Sequence, residues 1–99
     1  MNDAQILRLI GRNIRAARLK AGLTQECLAE LANVHVQTVG AVEKGDFPFA
    51  VTTFARISQY LETSANRLLD GLKPPDRERT ARIKKALARK RAPIKGLKE

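Results

Sequence analysis

The segment from Thr24 to Gly45 restricts the fold of this chain more than any other part of its sequence. It reads TQECLAELANVHVQTVGAVEKG, and its apolar residues form two groups, each with the spacing of one face of a helix. Asn33 separates the two groups, at the point where the first helix has to end. The apolar positions are Leu28, Ala29, Leu31 and Ala32 in the first group and Val36, Val39 and Val42 in the second. The pattern therefore predicts two short helices joined by about four residues.

The residues at the ends of these two helices fit the same prediction. Thr24 precedes the first apolar group, where its hydroxyl can accept a hydrogen bond from an unpaired backbone amide of the first turn. Asn33 occupies the position that needs a left-handed backbone, which asparagine tolerates better than most residues. Ala29 has a small side chain where the helices should cross, and Gly45 can end the second helix. Together these features predict a helix-turn-helix.

Helical patterns continue on both sides of this segment and predict an all-α fold. Residues 4–21 have the spacing of one amphipathic helix, and two shorter helices are expected after Gly45. The residues that can cap these three helices are Asn2 or Asp3, Thr52 or Thr53, and Ser64. We expect a compact five-helix domain over residues 1–72, with the helix-turn-helix at 24–45.

A stiff Lys73-Pro74-Pro75 break separates this domain from a basic extension over residues 73–99. Residues 76–91 of the extension read as a helix with a sparse apolar stripe. The chain has a net charge of +9, which indicates a polyanionic partner. Residues 76–99 contain ten basic and three acidic residues, whereas residues 1–75 contain nine basic and seven acidic ones. The extension could follow DNA phosphates, dock on a protein or remain solvated.

A set of residues at fixed spacing runs through most of the proposed domain. It comprises Ile14-Arg15, Arg18, Gly22-Leu23-Thr24-Gln25, Leu28-Ala29, Val39, Val42-Glu43-Lys44-Gly45, Phe54, Ile57, Leu61 and Leu68-Leu69. In these residues the chain resembles the phage-repressor and Cro-like helix-turn-helix family of transcriptional regulators, also called the xenobiotic-response-element family. The resemblance covers roughly residues 9–71 and implies a lambda-repressor-like fold. His35 with Val39-Gly40 also resembles the controller proteins of restriction–modification operons.

The resemblance implies that the second helix of the helix-turn-helix, from about His35 to Lys44, enters the DNA major groove. This helix is the third of the whole domain. Base contacts are expected from its exposed residues Val36, Gln37, Gly40 and Ala41. Gln37 is the clearest reader, because its amide can pair with adenine through two hydrogen bonds. Phosphate contacts are expected from Thr24, Gln25, His35, Lys44 and Arg15.

The same resemblance implies two structural features of the domain. Arg18 is expected to pair with Glu43 and to hold the first helix against the third. Dimer contacts are expected from the fifth helix, which often supplies them in the family. The short loop after Gly45 is a further candidate on its own residues, because it contains two phenylalanines and one of them can be exposed to a partner subunit. The candidates are Phe47, Phe49, Leu68 and Leu69, and one of the two phenylalanines should pack into the core instead. The expected function is that of a homodimeric regulator that binds an inverted-repeat operator in double-stranded DNA.

Other functions are less consistent with the sequence. His35 is the only histidine, Cys27 is the only cysteine, and neither stands at catalytic or metal-ligand spacing, so we expect no enzyme, metal or cofactor. The absence of a long apolar run and the single cysteine predict a cytoplasmic protein without a membrane segment. An antitoxin is the main alternative, in which residues 73–99 bind a toxin protein while the domain binds its own promoter.

Overall fold

The computed structural model describes residues 1–90, which form six α-helices and no β-strand. The helices are α1 (Asp3–Lys20), α2 (Gln25–Ala32), α3 (Val36–Lys44), α4 (Val51–Ser58), α5 (Ala65–Leu68) and α6 (Arg77–Lys90). The predicted all-α, lambda-repressor-like class is confirmed, with five helices before the Pro-Pro break and one basic helix after it. The last part of the expected basic extension, residues 91–99, lies outside the described residues.

Local hydrogen bonds explain where most of these helices begin and end. Asn2 caps α1, because its Oδ1 accepts from the Gln5 amide at 2.8 Å while the Gln5 side chain accepts from the Asn2 amide at 2.9 Å. Thr24 Oγ1 accepts from the Cys27 amide at 3.0 Å and caps α2. Asn33 ends α2 in the left-handed conformation, with φ 58° and ψ 50°. These side chains were the predicted caps, and α2 has the predicted bounds.

The start of α4 differs from the prediction. A threonine cap at Thr52 or Thr53 was expected, but the helix begins at Val51 after Ala50, whose side chain makes no capping hydrogen bond. The two threonines therefore lie inside the first turn. Ser64 caps α5 as predicted, since its Oγ accepts from the Arg67 amide at 3.2 Å.

The core lies where α1, α2 and α3 meet the two short helices α4 and α5. Its buried hydrophobic residues are Leu9, Ile14, Leu28, Ala29, Ala32, Val39, Val42, Ile57, Leu61 and Leu68. Leu68 is only 1% exposed, so its side chain is part of the core and cannot reach a second copy of the chain. The structure therefore removes Leu68 from the four candidates for dimer contacts. Leu68, the last residue of α5, therefore closes the core rather than contributing to an apolar surface.

Two glycines allow α1 to lie very close to the end of α3. A Cβ atom at Gly11 would lie 2.5 Å from the carbonyl oxygens of both Val42 and Glu43. At Gly45, where φ is +71°, a Cβ would lie 2.7 Å from the backbone nitrogen of Arg8. Backbone therefore packs directly on backbone at this crossing, and only glycine leaves the necessary space.

We predict that Gly11→Ala destabilises the protein by about 1–3 kcal/mol, because the added methyl group would have to push α1 and α3 apart. Gly40→Ala is the matched control on α3. Its Cβ would meet only the side-chain amide of Gln25, at 3.8 and 4.0 Å. This control should keep or raise the free energy of unfolding, by up to about 1 kcal/mol, because alanine favours a helix more than glycine. Urea unfolding measures both changes, and a Gly11→Ala protein of unchanged stability would contradict the close packing.

Candidate DNA-binding surface

A buried ion pair between Arg18 on α1 and Glu43 on α3 fixes the relative position of these helices. Arg18 Nε donates to Glu43 Oε2 at 2.6 Å, and Arg18 Nη2 donates to Oε1 at 3.1 Å. Arg18 is 5% exposed and Glu43 is 7% exposed, so both charged groups lie away from solvent. Arg18 Nη1 also donates to the carbonyl oxygen of Leu23 at 2.8 Å. The guanidinium thus contacts both α3 and the turn that leads into α2.

The same carboxylate also holds the first residue of α2. Gln25 Nε2 donates to Glu43 Oε1 at 3.0 Å, and the Gln25 side chain is half-buried. Glu43 therefore connects all three helices that position the helix-turn-helix. A carboxamide nitrogen has two hydrogens, so this bond uses one of the two donors on Gln25 Nε2. The sequence suggested a phosphate contact for Gln25 but gave no sign of its contact with Glu43.

The exposed side of α3 forms a shallow depression, which we call the reading surface. It is lined by Gln25, Val36, Gln37, Gly40, Ala41, Lys44 and Asp46. All four residues expected to contact bases thus lie together, beside two of those expected to contact phosphate. Val36 is 41% exposed, and Gln37 and Lys44 are also exposed, whereas Gly40 and Ala41 are half-buried. The reading surface is therefore mostly neutral, since its charged residues are one lysine and one aspartate.

Asp46 belongs to the reading surface, although sequence reasoning did not include it. Gly45 ends α3 in a left-handed conformation, and the Asp46 amide then donates back to the carbonyl oxygen of Ala41 at 3.1 Å. This turn brings the exposed Asp46 next to Lys44 at the end of the helix. The glycine directly before Asp46 was the available signal, because a left-handed cap turns the chain back along the helix end.

The remaining residues expected to contact phosphate do not line the reading surface. Thr24 is exposed at the start of α2, and Arg15 is exposed on α1. His35 directly precedes α3 and is exposed, but its side chain makes no capping hydrogen bond. The amide groups at the start of α3 therefore have no side-chain acceptor from His35. A helix start with unpaired amides carries a partial positive charge.

The other three dimer candidates differ in exposure. Phe47 is 38% exposed, whereas Phe49 is half-buried and its ring stacks on Phe54 with a centroid separation of 6.1 Å. One phenylalanine of the loop is thus at the surface and the other packs on the core. Leu69 is half-buried. Val51, at the start of α4, is 79% exposed and was not among the candidates.

Other kinds of site have little support among residues 1–90. This part of the chain contains no cluster of three or more histidine, cysteine, aspartate or glutamate side chains that could hold a metal ion. Cys27 is exposed on α2. None of the described helices combines the length and the hydropathy needed to cross a membrane.

We predict that Glu43→Ala lowers the stability by about 3–5 kcal/mol, because it leaves the buried guanidinium of Arg18 without its counter-ion. Glu30→Ala is the matched control, since it removes a carboxylate from an exposed position on α2. Surface changes of this kind usually alter stability by no more than about 0.5 kcal/mol. Thermal unfolding of both variants tests the pair, and equal midpoints for Glu43→Ala and Glu30→Ala would contradict a structural role.

Comparison with known proteins agrees with this arrangement. Residues 14–68 match the family described as Helix-turn-helix, a range that runs from the middle of α1 to the end of α5. The chain is also similar to the control protein C.SmaI of Serratia marcescens, with 33% identity over 70 residues, 69% of this chain and 83% of that protein. Both findings indicate a DNA-binding regulator. The chain belongs to the helix-turn-helix family of DNA-binding transcriptional regulators, as the residue pattern predicted.

Proposed function

We propose that this chain is a homodimeric, sequence-specific regulator that binds an inverted-repeat operator through α3. The observation that carries the proposal is the reading surface, which unites the exposed side chains of α3 with Gln25 and Lys44. The major groove of B-DNA is about 12 Å wide and admits one α-helix. A regulator of this kind acts by occupying its operator, so it needs no catalytic group. Similarity to a protein named as a control protein supports this role.

Within the reading surface, we assign base recognition to Gln37 and its neighbours. The carboxamide nitrogen of Gln37 can donate to adenine N7 while its oxygen accepts from the adenine N6 amino group, which makes a two-bond contact. Val36 and Ala41 offer apolar contact to a thymine methyl group. Gly40 has no side chain, so the duplex can approach the helix backbone at this position.

Phosphate contacts are assigned to residues around this neutral centre. Gln25 keeps one amide hydrogen free while the other is bound by Glu43, so its position is fixed before DNA arrives. Lys44 adds a positive charge at the end of α3, and His35 stands beside the uncapped start of that helix. Thr24 at the start of α2 and Arg15 on α1 are both exposed and complete the set. Asp46 opposes nearby phosphates, which lowers affinity for any duplex unless its carboxylate accepts a hydrogen bond from a cytosine amino group.

Dimerisation is assigned to the surface formed by the loop after α3 and the start of α4. Phe47 and Val51 expose apolar side chains there, and Leu69 is also partly accessible. A two-fold dimer would bring two α3 helices into successive major grooves, about 34–36 Å apart. The operator should then be an inverted repeat with that spacing.

The proposed domain boundary lies after Leu72, and the basic extension adds affinity without sequence preference. Every residue from Arg77 to Arg89 is exposed, which leaves the basic side chains of α6 accessible to DNA phosphates. One observation favours the antitoxin alternative. Ile83 and Leu87 lie four residues apart on α6 and are 42% and 47% exposed, and phosphate binding does not require such an apolar pair. In that case α6 would bind a toxin protein.

We predict that Gln37→Ala weakens binding to the preferred operator by about 1–3 kcal/mol and has little effect on a scrambled duplex. The reason is that the hydrogen bonds it removes go to base edges, which differ between the two duplexes. Footprinting on the DNA upstream of the chain's own reading frame can supply the operator. Glu30→Ala serves as the control, since Glu30 lies on α2 outside the reading surface. Equal weakening on both duplexes by Gln37→Ala would contradict its role in base recognition.

We predict that a chain shortened to residues 1–72 still unfolds cooperatively, because the buried core ends at Leu68. Its binding should be weaker on operator and scrambled duplex alike. The dependence of log K on log salt should become shallower by about 0.9 for each phosphate that the shortened chain no longer neutralises. Circular dichroism measures the first result and fluorescence titration at several salt concentrations measures the second. An unchanged salt dependence would assign residues 73–99 to a protein partner and favour the antitoxin alternative.

A further inference from the structure

A second hollow lies on α1, is positively charged, and shares no residue with the reading surface. It is lined by Met1, Gln5, Arg8, Arg12 and Lys73, and its volume is about 250 Å³. Arg8 and Arg12 are one helical turn apart, and Lys73 comes from the segment after α5. The helix-turn-helix does not need these side chains, because none of them belongs to the core or to the packing between α2 and α3.

The fold holds Lys73 close to the two arginines. Asn13 Nδ2 on α1 donates to the carbonyl oxygens of Leu68 and Asp70, both at 2.9 Å. Gly71 follows with φ +100°, and a Cβ there would lie 2.6 Å from Leu9 Cδ1. The chain is therefore tied to α1 just before Lys73. Lys73 therefore lines the same hollow as Arg8 and Arg12 because the backbone before it is held against α1, and not only because its side chain is long.

None of the three cations has a carboxylate oxygen within ion-pair distance in the described part of the chain. Arg18–Glu43 is the only ion pair found among residues 1–90. Two arginines at positions i and i+4 repel each other by about 0.2–0.5 kcal/mol, and a third cation increases the repulsion. An anion in the hollow would relieve all of these unfavourable interactions.

A neutral donor completes the hollow. Gln5 Oε1 accepts from the Asn2 amide at 2.9 Å, so the carbonyl end of this side chain is occupied by the cap of α1. Its Nε2 keeps two hydrogens that can be donated. The hollow thus offers two guanidinium groups, one ammonium group and one amide donor, and none of its lining side chains carries a negative charge.

We propose that this hollow is a binding site for a phosphate group. A guanidinium matches the oxygens of a phosphate with two parallel hydrogen bonds, and a lysine adds a point charge. A single carboxylate has two oxygens and one charge, which one arginine can satisfy, whereas three cations and an amide suit a group with more oxygens. The phosphate belongs either to the backbone of a bound duplex or to a phosphorylated small molecule. The first source rests on the proposed function, and the second does not.

The test compares two variants of the full chain that each remove two positive charges. Arg12→Gln/Lys73→Gln removes two cations of the hollow. Arg56→Gln/Lys20→Gln removes two exposed cations that line neither the hollow nor the reading surface. All four side chains are exposed, so both variants should fold, which circular dichroism verifies. Because both variants have the same net charge, any difference between them reports on the position of the charges.

The first measurement titrates inorganic pyrophosphate into each protein without DNA and follows the backbone amide signals of α1 by NMR. The second measures the salt dependence of binding to a scrambled duplex. If the site takes free phosphates, the pyrophosphate affinity of the hollow variant should be at least about tenfold weaker than that of the control variant, which is about 1.4 kcal/mol. If the site takes the DNA backbone, the salt slope of the hollow variant should fall by about 0.9 for each phosphate it no longer neutralises, and that of the control should not.

The site is supported if the hollow variant binds pyrophosphate more weakly than the control variant, or if its salt slope is lower than that of the control. The first result identifies a free phosphate as the ligand, and the second identifies the DNA backbone. Identical behaviour of the two variants in both measurements would overturn the proposal. Failure of this proposal can be distinguished from failure of the proposed function. If the wild-type chain binds no duplex, the proposed function fails, while the pyrophosphate titration still decides whether the hollow binds phosphate.

Discussion

The buried carboxylate of Glu43 is the group on which the arrangement of the first three helices depends. It accepts hydrogen bonds from Arg18 on α1 and from Gln25 on α2, and it belongs to α3 itself. Two charges taken out of water are costly unless their hydrogen bonds are satisfied, and a buried pair is therefore weak evidence for high stability. Here the donors and acceptors are paired, since the described residues include no buried side-chain nitrogen or oxygen without a partner. The pair restricts how the helices can pack, because a shift of any one helix would break a hydrogen bond to a buried charge.

Backbone contact adds to this restriction. Gly11 and Gly45 allow α1 to lie against the end of α3 at distances that no side chain would permit. The carboxylate of Glu43 and the carbonyl oxygens of residues 42 and 43 thus lie on one short stretch of α3, which contacts α1 through both side chain and backbone. The opposite side of the same helix carries the reading surface. A helix of only nine residues is thus held firmly on one side, and its other side remains accessible to solvent.

The sequence was sufficient to predict the features that depend only on residues close together in the chain. The caps at Thr24 and Ser64, the left-handed turn at Asn33 and the bounds of α2 all follow from local hydrogen bonding and backbone preference. Contacts between distant segments were harder to predict. Nothing near Gly11 indicates that its missing side chain makes room for Val42 and Glu43, and nothing in α2 indicates that Gln25 reaches Glu43. Leu68 was also difficult to place from the sequence, because a leucine at helical spacing can face either the core or a partner subunit. Only the packing of α5 on α1 shows that it faces the core.

Under the proposed function, the distribution of charge separates affinity from specificity. The reading surface carries one lysine and one aspartate, whereas α6 and the hollow on α1 carry most of the exposed positive charge. Phosphate contacts strengthen binding to every sequence alike, so they cancel when operator and random DNA are compared. Discrimination must then come from α3, where a two-bond contact by Gln37 contributes about 1–3 kcal/mol.

A dimer uses this contact twice, for about 2–6 kcal/mol, while the free energy by which specific regulators prefer their operator to random DNA is commonly about 4–10 kcal/mol. One glutamine per half-site covers only the lower part of that range, so the apolar contacts of Val36 and Ala41 and the shape of the operator must supply the rest. A monomer with this α3 would discriminate poorly, and for that reason the proposed specificity depends on dimerisation.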